Sequence, residues 1–148
     1  MSWDLKKFSE LDINYLYEIL KLRVEVFVVE QNCPYPELDN YDQHALHLSY
    51  KENNEIIAYC RIIPGGHKYE ECSIGRVIVK EHARGRGLAR ILMLEAIEKA
   101  ERTWNVPSIR ICAQSHLQNF YHSVGFHTIS NEFEEDGIPH VYMMTSKN

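Results

Sequence analysis

Apolar residues recur at helical spacing near the start of the chain. Leu16, Ile19, Leu20 and Phe27, with Arg23 between them, predict a helix over about 12 to 28. Asp12 or Asn14 is placed to cap its open N–H groups. The pattern then breaks: "VEQNCPYPELDNYD" carries two prolines, two asparagines and four acids and predicts a long loop. Short apolar runs follow at 44–51 and 56–63, joined by "ENNE", and predict a β-hairpin. "PGGHKYEE" interrupts again. The run at 72–80 contains Val77, Ile78 and Val79 without alternation, which predicts a central strand covered on both faces.

A second helical stripe, Ala89, Leu92, Met93, Ala96, Ile97, Ala100 and Trp104, predicts a helix from about Leu88 to Trp104. Glu95 with Lys99 and Glu98 with Arg102 form i,i+4 pairs on its other side. Pro107 ends it, and 108–114 reads as a further strand. Strand, helix, strand in this order implies a parallel right-handed crossover. "SHLQNFYHSVGF" predicts a short helix closed by Gly125. The tail predicts two strands around "EEDGIP", with Asp136-Gly137 at the turn. Residues 1–148 contain no repeat, low-complexity stretch or linker, so we expect one domain.

Composition narrows the function classes. Apolar content of 45% and charged content of 25% suit a globular chain. No apolar run approaches the roughly 18 residues that span a bilayer. The N-terminus lacks a signal-peptide pattern, so the expected compartment is the cytoplasm, with no membrane partner. Net charge is −5, which opposes nucleic-acid binding and favours a cationic small molecule or basic peptide. Cys33, Cys60, Cys72 and Cys112 form no C-x-x-C pair and are expected to be free thiols, with Cys60 and Cys112 buried in strands. We expect no metal.

The chemistry concentrates at one junction. After the Val77–Val79 run come two glycines and three arginines between Arg84 and Arg90, and then the second helix. A glycine-rich turn feeding a helix exposes several N–H groups with the helix dipole behind them, which is an anion site. Gly85 and Gly87 let a phosphate approach the backbone. Arg84, Arg86 and Arg90 add charged donors. The loop lacks the Gly-Lys of a triphosphate loop, and Arg90 occupies the last glycine position of the dinucleotide fingerprint.

Arg84-x-x-Gly87-x-Ala89 resembles the [QR]-x-x-G-x-[GA] motif of the GNAT acetyltransferases. "AQSHLQNFYHSVGF" is similar to a later segment of that family. "RVEVFVVEQNCPYPELDNYD" and "FEEDGIPH" resemble its ElaA-like branch. The resemblance implies an α/β fold: a mixed central sheet of about six to seven strands with flanking helices and a V-shaped cleft between two splayed parallel strands, here 74–80 and 108–114. It implies that acetyl-coenzyme A lies in the cleft as co-substrate, its pantetheine arm pairing with Val77, Ile78 and Val79. Backbone N–H groups of Arg84, Gly85, Arg86, Gly87, Leu88 and Ala89 would hold the pyrophosphate, with Gln114 and Asn119 as lesser polar contacts.

By the same resemblance Tyr121 protonates the departing thiolate, while Phe120 packs the helix. An N–H near Val77 or Ile78 suits the oxyanion. Candidate bases are Glu30, His44, His47, His116 and His140. Glu30 follows the apolar "FVV" and is the base we carry forward, on the expectation of partial desolvation. His44 and His47, three apart on an expected strand, would face opposite ways. Glu37, Asp39, Asp42, Glu134, Glu135 and Asp136 are expected to form an acidic acceptor pocket. The implied activity is direct N-acetyl transfer from acetyl-CoA to a primary amine, small or peptidic, by a monomer or homodimer. The alternative is a non-catalytic acyl-CoA sensor.

Overall fold

The computed structural model describes residues 2–145. Ser146, at the end of the expected tail, lies outside them. One mixed sheet runs through the chain: β1 (Ser2–Lys7), β2 (Leu46–Glu52), β3 (Glu55–Ile63), β4 (Cys72–Val79), β5 (Ile109–Gln114), β6 (His127–Thr128), β7 (Phe133–Glu135) and β8 (Ile138–Met144). The order is β1-β2-β3-β4-β5-β8-β6, with β7 also on β8. The eight described strands exceed the expected six to seven. β1 was not foreseen, because "SWDLKK" mixes charge with few apolar residues and its burial is only partial. The tail holds three strands instead of two, since the two-residue β6 is too short to leave a pattern.

Three helices cover the sheet: α1 (Ile13–Val24), α2 (Leu88–Trp104) and α3 (Gln118–Ser123). Asp12 caps α1 by accepting from the Tyr15 N–H at 2.8 Å. The expected run to residue 28 continues past Val24, but as a π-helical turn over Glu25–Glu30. The β2–β3 hairpin turns at Asn53 and Asn54, both at positive φ. His44 is not on a strand as expected; it ends a 3₁₀ turn, Asp42–His44. The predicted pair Lys99–Glu95 forms at 3.6 Å, and Arg102 reaches Glu98.

β4 is covered on both faces, as its unbroken Val-Ile-Val run implied. Ile78 joins Tyr15, Ile19, Leu22, Ile56 and Tyr59 under α1. Ile74, Val77 and Val79 pack into the larger core beneath α2 and α3. Each fully buried isoleucine or leucine there contributes roughly 1.5–3 kcal/mol relative to exposure.

A buried charge network crosses the α1 side. Arg23, on the last turn of α1, has a side chain 0% exposed. Its Nε donates to Glu37 at 2.7 Å and its Nη1 to Asp42 at 2.6 Å. Arg61 of β3 grips Asp39 through both terminal nitrogens, each at 2.7 Å, and reaches Asp42 at 3.0 Å. Arg76 of β4 donates to Glu37 at 2.6 Å and Asp39 at 3.3 Å. His47 bridges Tyr59 and the Asp42 carbonyl, and burial holds its pKa down, so it is a neutral structural residue. The proline-rich loop before β2 is therefore strapped to the sheet. Glu37, Asp39 and Asp42 neutralise arginines and do not form the free acidic pocket expected of them.

Removing Arg23 leaves buried Glu37 with Arg76 alone and Asp42 with Arg61 alone. Arg23→Ala should lower the unfolding free energy by about 3–5 kcal/mol in urea titrations. A loss under about 1 kcal/mol would show that the network contributes no more than a surface pair. Burial alone would raise Asp39, but the Arg61 fork and the nearby Arg76 outweigh it and hold Asp39 down to about 2, from 3.8. A depressed carboxylate contributes stability above its unfolded pKa and loses it as pH falls through the folded one. Stability should thus fall between about pH 4 and pH 2, and Asp39→Asn should flatten that fall in acid titrations followed by circular dichroism.

Candidate functional site

The site begins with a fault in pairing. β4 runs parallel to β5, but only Cys72–Ile109 and Ser73–Arg110 are in register. Beyond them the strands part, and β5 pairs with β8 along its length. On its other side β4 carries an extra residue: Tyr59 pairs with Ile78, yet Arg61 pairs with Gly75. Arg76 sits in this bulge at φ 51°, a left-handed conformation that costs a non-glycine residue roughly 1–2 kcal/mol. Its ties to Glu37 and Asp39 hold it there. The bulge bends β4 away and leaves one edge of its backbone unpaired.

The gap is a cleft of about 630 Å³. Val77, Ile78 and Val79 form one wall; Cys112, Ala113 and Gln114 form the other. Lys68 and Tyr69, from the loop before β4, also line it.

At the open mouth, the chain passes from β4 through a 3₁₀ turn, Glu81–Ala83, into α2. Gly85 and Gly87 take φ of 82° and 77°, and Gly87 caps α2 without a side-chain bond. The Arg84 N–H is committed to the Glu81 carbonyl at 3.3 Å, so it does not join the open set expected of residues 84–89. The N–H groups of Gly85 to Ala89 have no acceptor among the described residues. Arg84 and Ala89 line the cleft; Leu88, the first residue of α2, turns its side chain into the core and offers only backbone. Arg86 turns away to Glu52, and Arg90 holds the Ser123 carbonyl at 3.0 Å.

Tyr121 lies deeper, on α3. It is 8% exposed, lines the cleft and packs edge-on against Phe120 and Phe126. Its hydroxyl has no partner among the described residues, and burial pushes its pKa up to about 12, so it holds its proton. Phe120 packs on the core as expected, although it also touches the cleft.

The base candidates separate by position. Glu30 lines the cleft, but Arg84 engages both its oxygens, at 3.0 and 3.2 Å. Its side chain is 42% exposed, so the desolvation expected from "FVV" is absent. His44 stacks on His67 and does not line the cleft. His116 lines it from an exposed position. His140 lines it too, and its Nδ1 lies 2.7 Å from the Ile138 carbonyl. A carbonyl only accepts, so Nδ1 carries a hydrogen, and in the neutral ring the lone pair is on Nε2. Gln114 meets the Gln31 side chain at 3.4 Å, whereas Asn119 is exposed and outside the lining.

All four cysteines are free. Cys60 and Cys72 are buried, while Cys112 is only half-buried because it faces the cleft. Its thiol donates to Glu135 at 3.3 Å, and with His140 these donor atoms lie within 4.8 Å of one another, a grouping that could hold a metal ion. Burial, then Glu135, push the thiol up to about 12, so it is a poor nucleophile at neutral pH. No sequence pattern assigned a role to Lys68, Tyr69, the buried Arg23 and Arg61 or the half-buried Arg76. The available signal was an arginine inside an apolar run ("IIAYCRII") facing an acid-rich loop.

With this geometry in hand, the comparisons are specific. The family model described as "Acetyltransferase (GNAT) domain" matches residues 10–147. Protein ElaA of Escherichia coli is 42% identical over 145 residues, covering 97% of this chain and 95% of ElaA. A crystal structure of an acyl-CoA N-acyltransferase from Pseudomonas aeruginosa superposes with a TM-score of 0.93 at 38% identity, covering 98% of this chain and 99% of that one. The crystal structure of Escherichia coli ElaA superposes with a TM-score of 0.92 at 41% identity, with the same coverage.

Proposed function

This chain belongs to the GNAT acetyltransferase family, and we propose that it transfers the acetyl group of acetyl-CoA directly to a primary amine. The observation that carries this reading is the parting of β4 and β5 after Ser73, with open N–H groups at one mouth and a protonated, unpartnered tyrosine inside. The pantetheine arm pairs with the free edge of Val77 to Val79, as an added strand would. The diphosphate takes the N–H groups of Gly85 to Ala89, at the positive end of α2.

Transfer then needs no covalent enzyme intermediate. The amine nitrogen attacks the thioester carbon, and a backbone N–H near Val77 or Ile78 stabilises the oxyanion. The C–S bond breaks, and the thiolate takes the Tyr121 proton. The proton lost by the amine goes to His140 Nε2, which has a free lone pair, rather than to Glu30, whose oxygens are engaged by Arg84. Water returns a proton to Tyr121. The high pKa of Cys112 argues against an acetyl-cysteine route.

The test is a panel of primary amines with acetyl-CoA, following thiol release. Turnover is expected for some of them, and Tyr121→Phe should cut kcat by about 10²-fold or more while acetyl-CoA still binds. Turnover equal to the parent in that variant removes the acid assignment. Silence across the panel with acetyl-CoA bound would favour a module that senses acyl-CoA. Gly87→Val adds a side chain where φ is 77°, a strain of roughly 1–2 kcal/mol, and crowds the open amides. Calorimetry should show acetyl-CoA affinity weakened about tenfold or more in a folded protein.

A further inference from the structure

The cleft has two chemically different ends. Open amides and Arg84 mark the mouth after β4, whereas Lys68 and Tyr69 stand just before the closed end, where Cys72 and Ser73 still pair with β5. Nothing in the proposed transfer uses this second group.

Lys68 has an incomplete environment. It is half-buried, and its ammonium lies over the rings of Tyr41 and Tyr69, each at 5.7 Å. No carboxylate lies within ion-pair distance of it among the described residues; Asp39 and Glu135 act on it only through space. Of these two acids, Asp39 is held by Arg61 and Arg76. Tyr69 is also half-buried, with its hydroxyl unpartnered. Arg61, 1% exposed, lines the same cleft, and its buried Nε has no acceptor. Two cations and one hydroxyl thus border one cavity with donor capacity unused. A half-desolvated ammonium without a directly bonded counter-ion is costly, and an anionic ligand lowers that cost.

Opposite charge lines the same space. Glu135 and Asp136 border the cleft, and among the described residues no arginine or lysine lies within ion-pair distance of either, although Glu135 acts on Lys68 through space. A cleft that offers both signs fits a zwitterion better than a simple amine. We infer that the acceptor amine also carries a carboxylate, held by Lys68 and Tyr69 at the closed end of the cleft. This rests on the transferase reading above and narrows its acceptor to amino-acid-like amines.

The experiment compares matched pairs: free amino acids against their carboxamides, with acetyl-CoA and thiol release as the readout. Capping the carboxylate lowers the amine pKa, which by itself favours the amide, so a preference for the free acid is the stronger result. The free acids are expected to be the better substrates. Lys68→Met should raise their KM by about 10- to 100-fold, the worth of one charge-assisted hydrogen bond. The effect should fall on KM more than kcat and be smaller for the amides, with acetyl-CoA affinity retained as the check on folding. Lys68→Arg should recover most of it. Transfer that prefers the amides, or a KM that Lys68→Met leaves alone, overturns this inference and leaves the transferase reading standing. Acetyl-CoA binding with silence on both sets counts against both readings.

Discussion

The structure depends on a set of arginines that cannot leave. Arg23, Arg61 and Arg76 come from a helix and two strands, and all three converge on acids from one loop. Charge buried this deeply is tolerated only when it is matched closely, so the loop has one place to go. The same match holds Arg76 in a backbone conformation it would otherwise avoid. The bulge at Arg76 steers β4 away from β5, and the cleft follows from that divergence. Electrostatics on the α1 side thereby shapes the cavity that Arg61 and Arg76 also line.

This arrangement divides the labour among residue types. Apolar side chains anchor β4 on both faces, so the strand stays fixed while one of its edges goes unpaired. The open amides gather where a glycine turn meets α2. Tyr121 and His140, the groups proposed to move protons, stand on other elements and line the same space. No single segment carries the site; the parting of two strands brings it together.

Much of this was legible in the sequence because it is local. The Val-Ile-Val run, the stripe of α2 and the glycine-arginine junction each report on neighbours a few residues away, and the structure keeps all three. What escaped was non-local. Glu37, Asp39 and Asp42 look like solvated loop acids until Arg23, Arg61 and Arg76 are brought to them. Glu30 looked ready to act as a base until Arg84, fifty-four positions on, took both its oxygens. β1 is read as a strand only once β2 offers it an edge, and the grouping of Cys112, Glu135 and His140 needs β7 and β8 to fold back beside β5.

The pairing of Arg84 with Glu30 changes how the mouth of the cleft meets any incoming anion. The guanidinium already has a tenant. Under the proposed function, a phosphate group that took this guanidinium would have to evict a carboxylate, so recognition there would be an exchange of partners, its strength the small difference between two good fits. Eviction also frees the last residue of the π-turned stretch that follows α1, linking occupancy of the mouth to the start of the strapped loop.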